Sequence, residues 1–174
     1  GRIRVVFMLS KINYGIIDPK VLAQTIIDVS HIPDVAVAIK PHTRGMKLDF
    51  MELDRIGNAI DAWNTPSPLL VEWADLILFT GSGIAFHAMF MNKRVGLLRY
   101  CQELETIFDS GESVEVLNAP EDVTTLIAKI RSGEKLAETR EQEIREWLKA
   151  NVESGAPGGD VVTHYKMRIQ NDLS

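Results

Sequence analysis

The chain has 174 residues, 45% of them hydrophobic and 25% charged, which suits one domain with a real core. A formal net charge of -5 removes any general pull toward nucleic acid or anionic membrane, so an anion site must be local. The single cysteine, Cys101, excludes an internal disulfide and a thiolate metal cluster, and a reducing compartment is the simple reading.

Taken in chain order, "IRVVFML" (Ile3 to Leu9) reads as a strand buried on both faces. Asp18 and Pro19 form a helix N-cap with proline at the first position, and Leu22, Ile26, Ile27 and Val29 follow at mostly helical spacing until Pro33. "DVAVAIK" is a second strand that Pro41 stops. A helix is expected from Phe50 to Ile56, ended by Gly57 and Asn58, then a short third strand in "AIDAW". "PSPLLVEWA" is a short helix opened by Pro66 and Pro68. "DLILFTGS" is the fourth strand, and "GIAFHAMFM" a helix with Asn92 as a left-handed cap. "RVGLL" and "SVEVL" are the fifth and sixth strands. Pro120, Glu121 and Asp122 open the next helix, with Leu126, Ile127 and Ile130 inward and Gly133 ending it. Leu136, Ile144, Trp147, Leu148 and Val152 make a stripe on a charged helix. "SGAPGG" is a turn or linker, and a last short helix is expected from Asp160 to Ile169.

Strands alternating with helices predict an α/β fold: a doubly wound, Rossmann-like parallel sheet of about six strands with helices on both faces. Residues 1–154 are expected to form this domain and 155–174 a linker and C-terminal helix. No apolar run is long enough to span a bilayer and no signal peptide is visible. The start "GRIRVVFMLS", without a methionine and almost directly into a strand, suggests a piece of a longer protein.

Doubly wound sheets bind ligands beyond the carboxyl ends of their strands, so the strand endings are the candidates. In "LFTGSGIAFHA" the glycines Gly81 and Gly83 let backbone approach a ligand, helix-start amides face an anion, and Thr80 and Ser82 add hydroxyls. The same residues also fit a plain strand-to-helix turn capped by Ser82. No lysine follows the second glycine as in a P-loop, and the third glycine of the dinucleotide fingerprint is missing. In "KPHTRG", Lys40, His42 and Arg44 alternate and can converge on one anion. Arg44 would grip it bidentately, Lys40 would act as a point charge, and His42 would donate a hydrogen bond or move a proton. A solvated basic turn is the simpler alternative.

His87 lies one helical turn after Gly83 and can reach a ligand's sugar or phosphate, or sit at the core edge bonded to backbone. Tyr100 and Cys101 are either cleft rim or ordinary loop residues. His31 and His164 read as surface residues, and Trp63, Trp73 and Trp147 as packing anchors. No spacing resembles a metal site, so neither metal nor organic cofactor is expected.

"AIKPHTRG", then "SPLLVEWADLILFTGSGIAFHAMFMNKRVGLL", then "NAPEDVTTLIAKI" resemble the C-terminal half of GT-B glycosyltransferases, over roughly Arg4 to Ile130. The resemblance is greatest to the surface-carbohydrate and capsule branch, near the CDP-glycerol glycerophosphotransferases. It implies a donor-binding domain for a nucleotide-sugar, CDP-glycerol or nucleoside diphosphate, with His42 at the phosphates and Gly81, Ser82 and Gly83 approaching the diphosphate. It also implies a separate N-terminal Rossmann-like half as partner. The whole enzyme would be cytoplasmic, or peripheral to the inner face of the membrane. The sequence departs from the family at His87, where an acidic ribose contact is usual, and at Asn92, Lys93 and Arg94, where "G-K-P" is usual. Half of a sugar-nucleotide epimerase and a non-catalytic binding module are the alternatives.

Overall fold

A computed structural model of the chain describes residues 1–10, 17–42, 57–103, 105–111 and 113–151. The helix expected at Phe50 to Ile56 and the one at Asp160 to Ile169 lie outside the described residues, as do Arg44, Val152 and His164.

The elements in order are β1 (Ile3–Met8), α1 (Pro19–Ser30), β2 (Val35–Lys40), β3 (Ala59–Asp61), α2 (Ser67–Trp73), β4 (Leu76–Phe79), α3 (Ile84–Phe90), β5 (Arg94–Leu98), β6 (Glu115–Leu117), α4 (Pro120–Arg131) and α5 (Glu138–Asn151). A 3-10 turn, Arg99–Cys101, follows β5. The six strands form one sheet in the order β3-β2-β1-β4-β5-β6, and every pairing is parallel. This is the doubly wound, Rossmann-like sheet that the alternation of strand and helix predicts.

The central strands are apolar throughout because both their faces are covered. Val5 and Phe7 point to the side where α1 and α4 pack, with Leu22, Ile26, Leu126 and Ile127. Val6, Met8, Ile77 and Phe79 point to the other side, against Leu70 and Val71 of α2, Ala85 and Met89 of α3, and Ile144, Trp147 and Leu148 of α5. Phe108 meets Phe79 edge-on with ring centroids 5.1 Å apart and stacks near Trp147 at 5.8 Å, so Trp147 is a packing anchor.

Local chemistry sets the helix ends. The Asp18 carboxylate accepts from the Lys20 and Val21 amides at 2.9 and 3.1 Å and starts α1. Asn92, at φ 52°, closes α3: its N–H reaches the Met89 carbonyl and the Lys93 N–H reaches Ala88, both at 2.9 Å. Gly133, at φ 80°, closes α4 in the same way. Exposed His31 caps the end of α1, its Nδ1 lying 2.8 Å from the Ile27 carbonyl oxygen.

All carboxyl ends lie along one edge because all strands are parallel. The chain runs from β1 outward through β2 and β3, then returns to place β4 on the other side of β1. The order therefore reverses between β1 and β4. That junction is where an open α/β sheet leaves a crevice.

Candidate functional site

The ends of β2, β1 and β4 are laced together at the reversal. The Leu9 N–H donates to the Lys40 carbonyl at 3.0 Å. The Ser10 N–H donates to the Thr80 hydroxyl oxygen at 3.2 Å, and the two hydroxyls share a further bond at 3.0 Å. Thr80 is buried, and its hydroxyl ties β4 to β1. The expected ligand donor thus serves the scaffold, and Ser10, which the sequence reading passed over, is its partner.

Beside this lacing lies a cleft of about 170 Å³ lined by Lys40, Pro41, His42, Ser67, Ser82 and Ile84, with Met8 and Leu9 at its base. The fold therefore brings the basic turn after β2 and the serine-glycine turn after β4 to one place. Ser67, at the start of α2, joins them and was not singled out from sequence. The rule that found the other strand ends does not reach helix starts, and this was the missing signal.

Lys40 is the unusual member. It is only 7% exposed. Its ammonium donates to the Trp63 carbonyl at 2.5 Å and pairs with no carboxylate among the described residues. An ammonium carries three donors, so one carbonyl leaves it under-satisfied. Burying a cation without an opposite charge is unfavourable, and such a group normally has a partner. Strand alternation puts Lys40 on the same face as Ala38, toward α2 and α3. His42 is half-buried two residues further on.

The turn after β4 departs from a simple capped start. α3 begins at Ile84, its N-cap is Gly83, and no side chain caps it, so Ser82 does not perform the capping considered above. The Ser82 carbonyl accepts from Ala85 at 3.1 Å and the Gly83 carbonyl from Phe86 at 3.2 Å. The amides of Ser82, Gly83 and Ile84 have no protein acceptor among the described residues. Gly81 needs its lack of a side chain, because its φ is +82°. α3 is only seven residues long, so the exposed amides and the Ser82 hydroxyl matter here more than any macrodipole.

His87 is half-buried near the end of α3 and does not line the cleft. The two residues considered as rim after β5 turn inward: the Tyr100 hydroxyl lies 2.8 Å from that of Thr25 on α1, and Cys101 is buried. Burial pushes the Cys101 thiol up to about 12, so it stays protonated and unreactive. Gln102 is buried as well, with its side chain toward Gly81.

Beyond it, burial acts to raise the Asp109 pKa. The Thr106 amide and hydroxyl, at 2.6 and 2.8 Å, and Arg99 outweigh that effect and hold the carboxyl below its ordinary value. A larger depression of about 580 Å³ beside α5 is bordered by Glu143 and Glu146, and its Arg140 already pairs with Glu143, so it suits an anion poorly.

No family model and no curated protein matches the chain. Several solved structures share its fold. The wall teichoic acid polymerase TagF superposes with a TM-score of 0.59 at 11% identity, over 85% of this chain and 38% of that one. The spinosyn rhamnosyltransferase SpnG gives 0.58 at 19% identity, over 83% and 41%. The UDP-GlcNAc 2-epimerase from Neisseria meningitidis, bound to UDP-GlcNAc, gives 0.59 at 20% identity, over 86% and 45%. The chain spans less than half the length of each of these structures. The six parallel strands and five helices of the described residues form a Rossmann-like unit of the kind these structures contain.

Proposed function

We propose that the chain is the donor-binding domain of a GT-B-like transferase, and that it holds the diphosphate of a nucleotide-activated sugar or of CDP-glycerol in the cleft at the strand reversal. The observation that carries this reading is Lys40, a buried ammonium with no carboxylate partner among the described residues, opening on the same cleft as His42 and Ser82. A diphosphate supplies the missing negative charge. In group transfer the bond from the donor to the diphosphate breaks, and charge develops on the leaving oxygen. Fixed donors at Lys40, His42, Ser82 and the Gly83 amide would stabilise that charge without having to reorganise. Arg44 is assigned to the same anion on its place in the sequence alone.

The resemblance in sequence to the CDP-glycerol branch supports the finer reading of bacterial surface polysaccharide synthesis. So does the likeness of fold to TagF, of which one variant was soaked with CDPG. A half-epimerase is the second reading, favoured by the likeness to an enzyme bound to UDP-GlcNAc. Both readings require a nucleoside diphosphate in this cleft, and both require a second Rossmann-like half to complete the enzyme.

The test is a titration of the chain with CDP and UDP, followed by amide chemical shifts. Responses should centre on Lys40, His42 and the stretch from Gly81 to Ile84. Responses confined to other parts of the molecule would overturn the proposal.

A further inference from the structure

The candidate cleft is built from two strands that are not neighbours in the sheet. β2 brings Lys40 and His42, β4 brings the turn at Gly81 to Ile84, and β1 lies between them. Met8, the last residue of β1, is in register with Lys40 on one side and with Phe79 on the other. The span between the basic turn and the serine turn therefore depends on where the chain goes after Met8.

Two residues continue it, and each is bonded to one flank. The Leu9 N–H donates to the Lys40 carbonyl at 3.0 Å. The Ser10 N–H and hydroxyl both meet the Thr80 hydroxyl oxygen, at 3.2 and 3.0 Å. Thr80 is 2% exposed, so its O–H has no solvent to donate to, whereas Ser10 is only half-buried. Burial thus assigns the shared proton to Thr80: its oxygen accepts from the Ser10 N–H and its own proton goes to the Ser10 oxygen. Thr80 directly precedes Gly81, which has no side chain to brace the turn, and α3 begins without a side-chain cap. The tie to Ser10 is what holds the entry to that turn. Neither Ser10 nor Thr80 lines the cleft itself.

We infer that Ser10 is a positioning residue. Acting through Thr80, and without touching the ligand, it holds the turn at Gly81 to Ile84 at the distance from Lys40 that lets one diphosphate reach both. This rests on the proposed function, since it needs an anion in that cleft. Affinity for an anion gripped from two sides depends on donors fixed at the right spacing before it arrives. A turn free to drift has to be ordered by the ligand, and binding weakens by that cost.

Calorimetric titration of the whole chain with inorganic pyrophosphate and with CDP tests this, well below the melting midpoint of each protein. The proteins are wild type, Ser10→Ala, Thr80→Val, the double variant and Thr80→Ser. Ser10→Ala and Thr80→Val should each bind both probes about three- to tenfold more weakly, the effect of about one hydrogen bond. The double variant should bind no worse than Thr80→Val, because both changes break the same tie. Thr80→Ser keeps the hydroxyl and should bind like wild type, even where loss of the methyl group lowers its melting midpoint. Wild-type affinity in Ser10→Ala and Thr80→Val overturns the role of Ser10, and so do losses that add in the double variant. Loss in Ser10→Ala with normal binding by Thr80→Val puts Ser10 on the ligand and overturns it too. Should Thr80→Val fail to fold, the ligand-free amide spectrum of Ser10→Ala decides. The Gly83 and Ile84 resonances move if Ser10 acts through Thr80, and unmoved resonances overturn the role. A wild-type chain that binds both probes beside unchanged variants refutes the positioning role alone. A wild-type chain that binds neither probe refutes the donor-domain reading, and the role of Ser10 with it.

Discussion

Lys40 is a residue whose burial works against folding and in favour of binding. It is 7% exposed and, among the described residues, bonds a single carbonyl. Replacing a buried charge by an apolar side chain of similar length is often neutral or stabilising. Lys40→Met should therefore leave the melting midpoint unchanged or higher while weakening diphosphate binding by about 1.5–3 kcal/mol, the range for hydrogen bonds to charged groups. His42→Ala should weaken binding by about the same amount, with the fold intact. In wild type the His42 ring resonances should move on adding CDP or UDP. Calorimetry and ring spectra check both variants; a Lys40→Met protein that is less stable and binds normally would mark Lys40 as a structural residue. Sequence shows the basic run at 40–44 but not its division of labour, because the Trp63 carbonyl that holds Lys40 is 23 residues away.

Two junctions between elements carry sharper expectations about stability than any single core residue. At the amino edge, the Asp75 carboxylate accepts from the Arg4 amide at 2.9 Å and from the Arg4 guanidinium at 3.0 and 2.7 Å, clamping β4 to β1. These Arg4 donors hold the Asp75 pKa below the ordinary value of 3.8, and partial burial opposes them. A depressed folded-state pKa means stability that is fully present above the ordinary value and is lost as pH falls through the lowered one. Asp75→Asn should thus lower the melting midpoint at pH 7, and the gap from wild type should shrink below about pH 4. A gap that stays constant from pH 7 to acid would show that the charge is irrelevant.

At the sheet edge, Gly57 packs against the end of α1. Its N–H donates to the Ser30 hydroxyl at 3.0 Å, and a Cβ there would lie 2.8 Å from the Ser30 backbone carbonyl oxygen. Backbone cannot step aside as a side-chain end can, so Gly57→Ala should cost about 1–3 kcal/mol in urea unfolding. The sequence reads Gly57 only as the end of a helix. Its close approach to Ser30 exists because β3 pairs beside β2.

On the scale of the whole molecule, the described residues make one Rossmann-like unit, and the solved structures it resembles are each more than twice its matched length. On the proposed reading, the acceptor and its base belong to a second half. Rate enhancement by proximity requires both reactants in one site. The chain alone should therefore bind nucleoside diphosphates and transfer nothing from UDP-sugars or CDP-glycerol to added acceptors. Turnover by the chain alone, followed with labelled donor, would show that this division is wrong. No helix among the described residues is long and apolar enough to cross a membrane.

What the sequence determined by itself is what depends on neighbours along the chain. Apolar runs of strand length, helical spacing, Asp18 as a cap, Asn92 and Gly133 in left-handed closures and Gly81 in the turn are all matters of local dihedral angle and period. They led to the doubly wound sheet and to its strand ends. The tertiary structure decided which of those ends meet. Thr80 looked like a ligand donor until β4 was paired with β1, which gave its hydroxyl to Ser10, 70 residues away. Tyr100 looked like cleft rim until α1 offered Thr25, and Gln102 gained its place only when the turn after β5 settled beside Gly81. Contacts of this kind depend on strand order and register, which the pattern within any one segment does not encode.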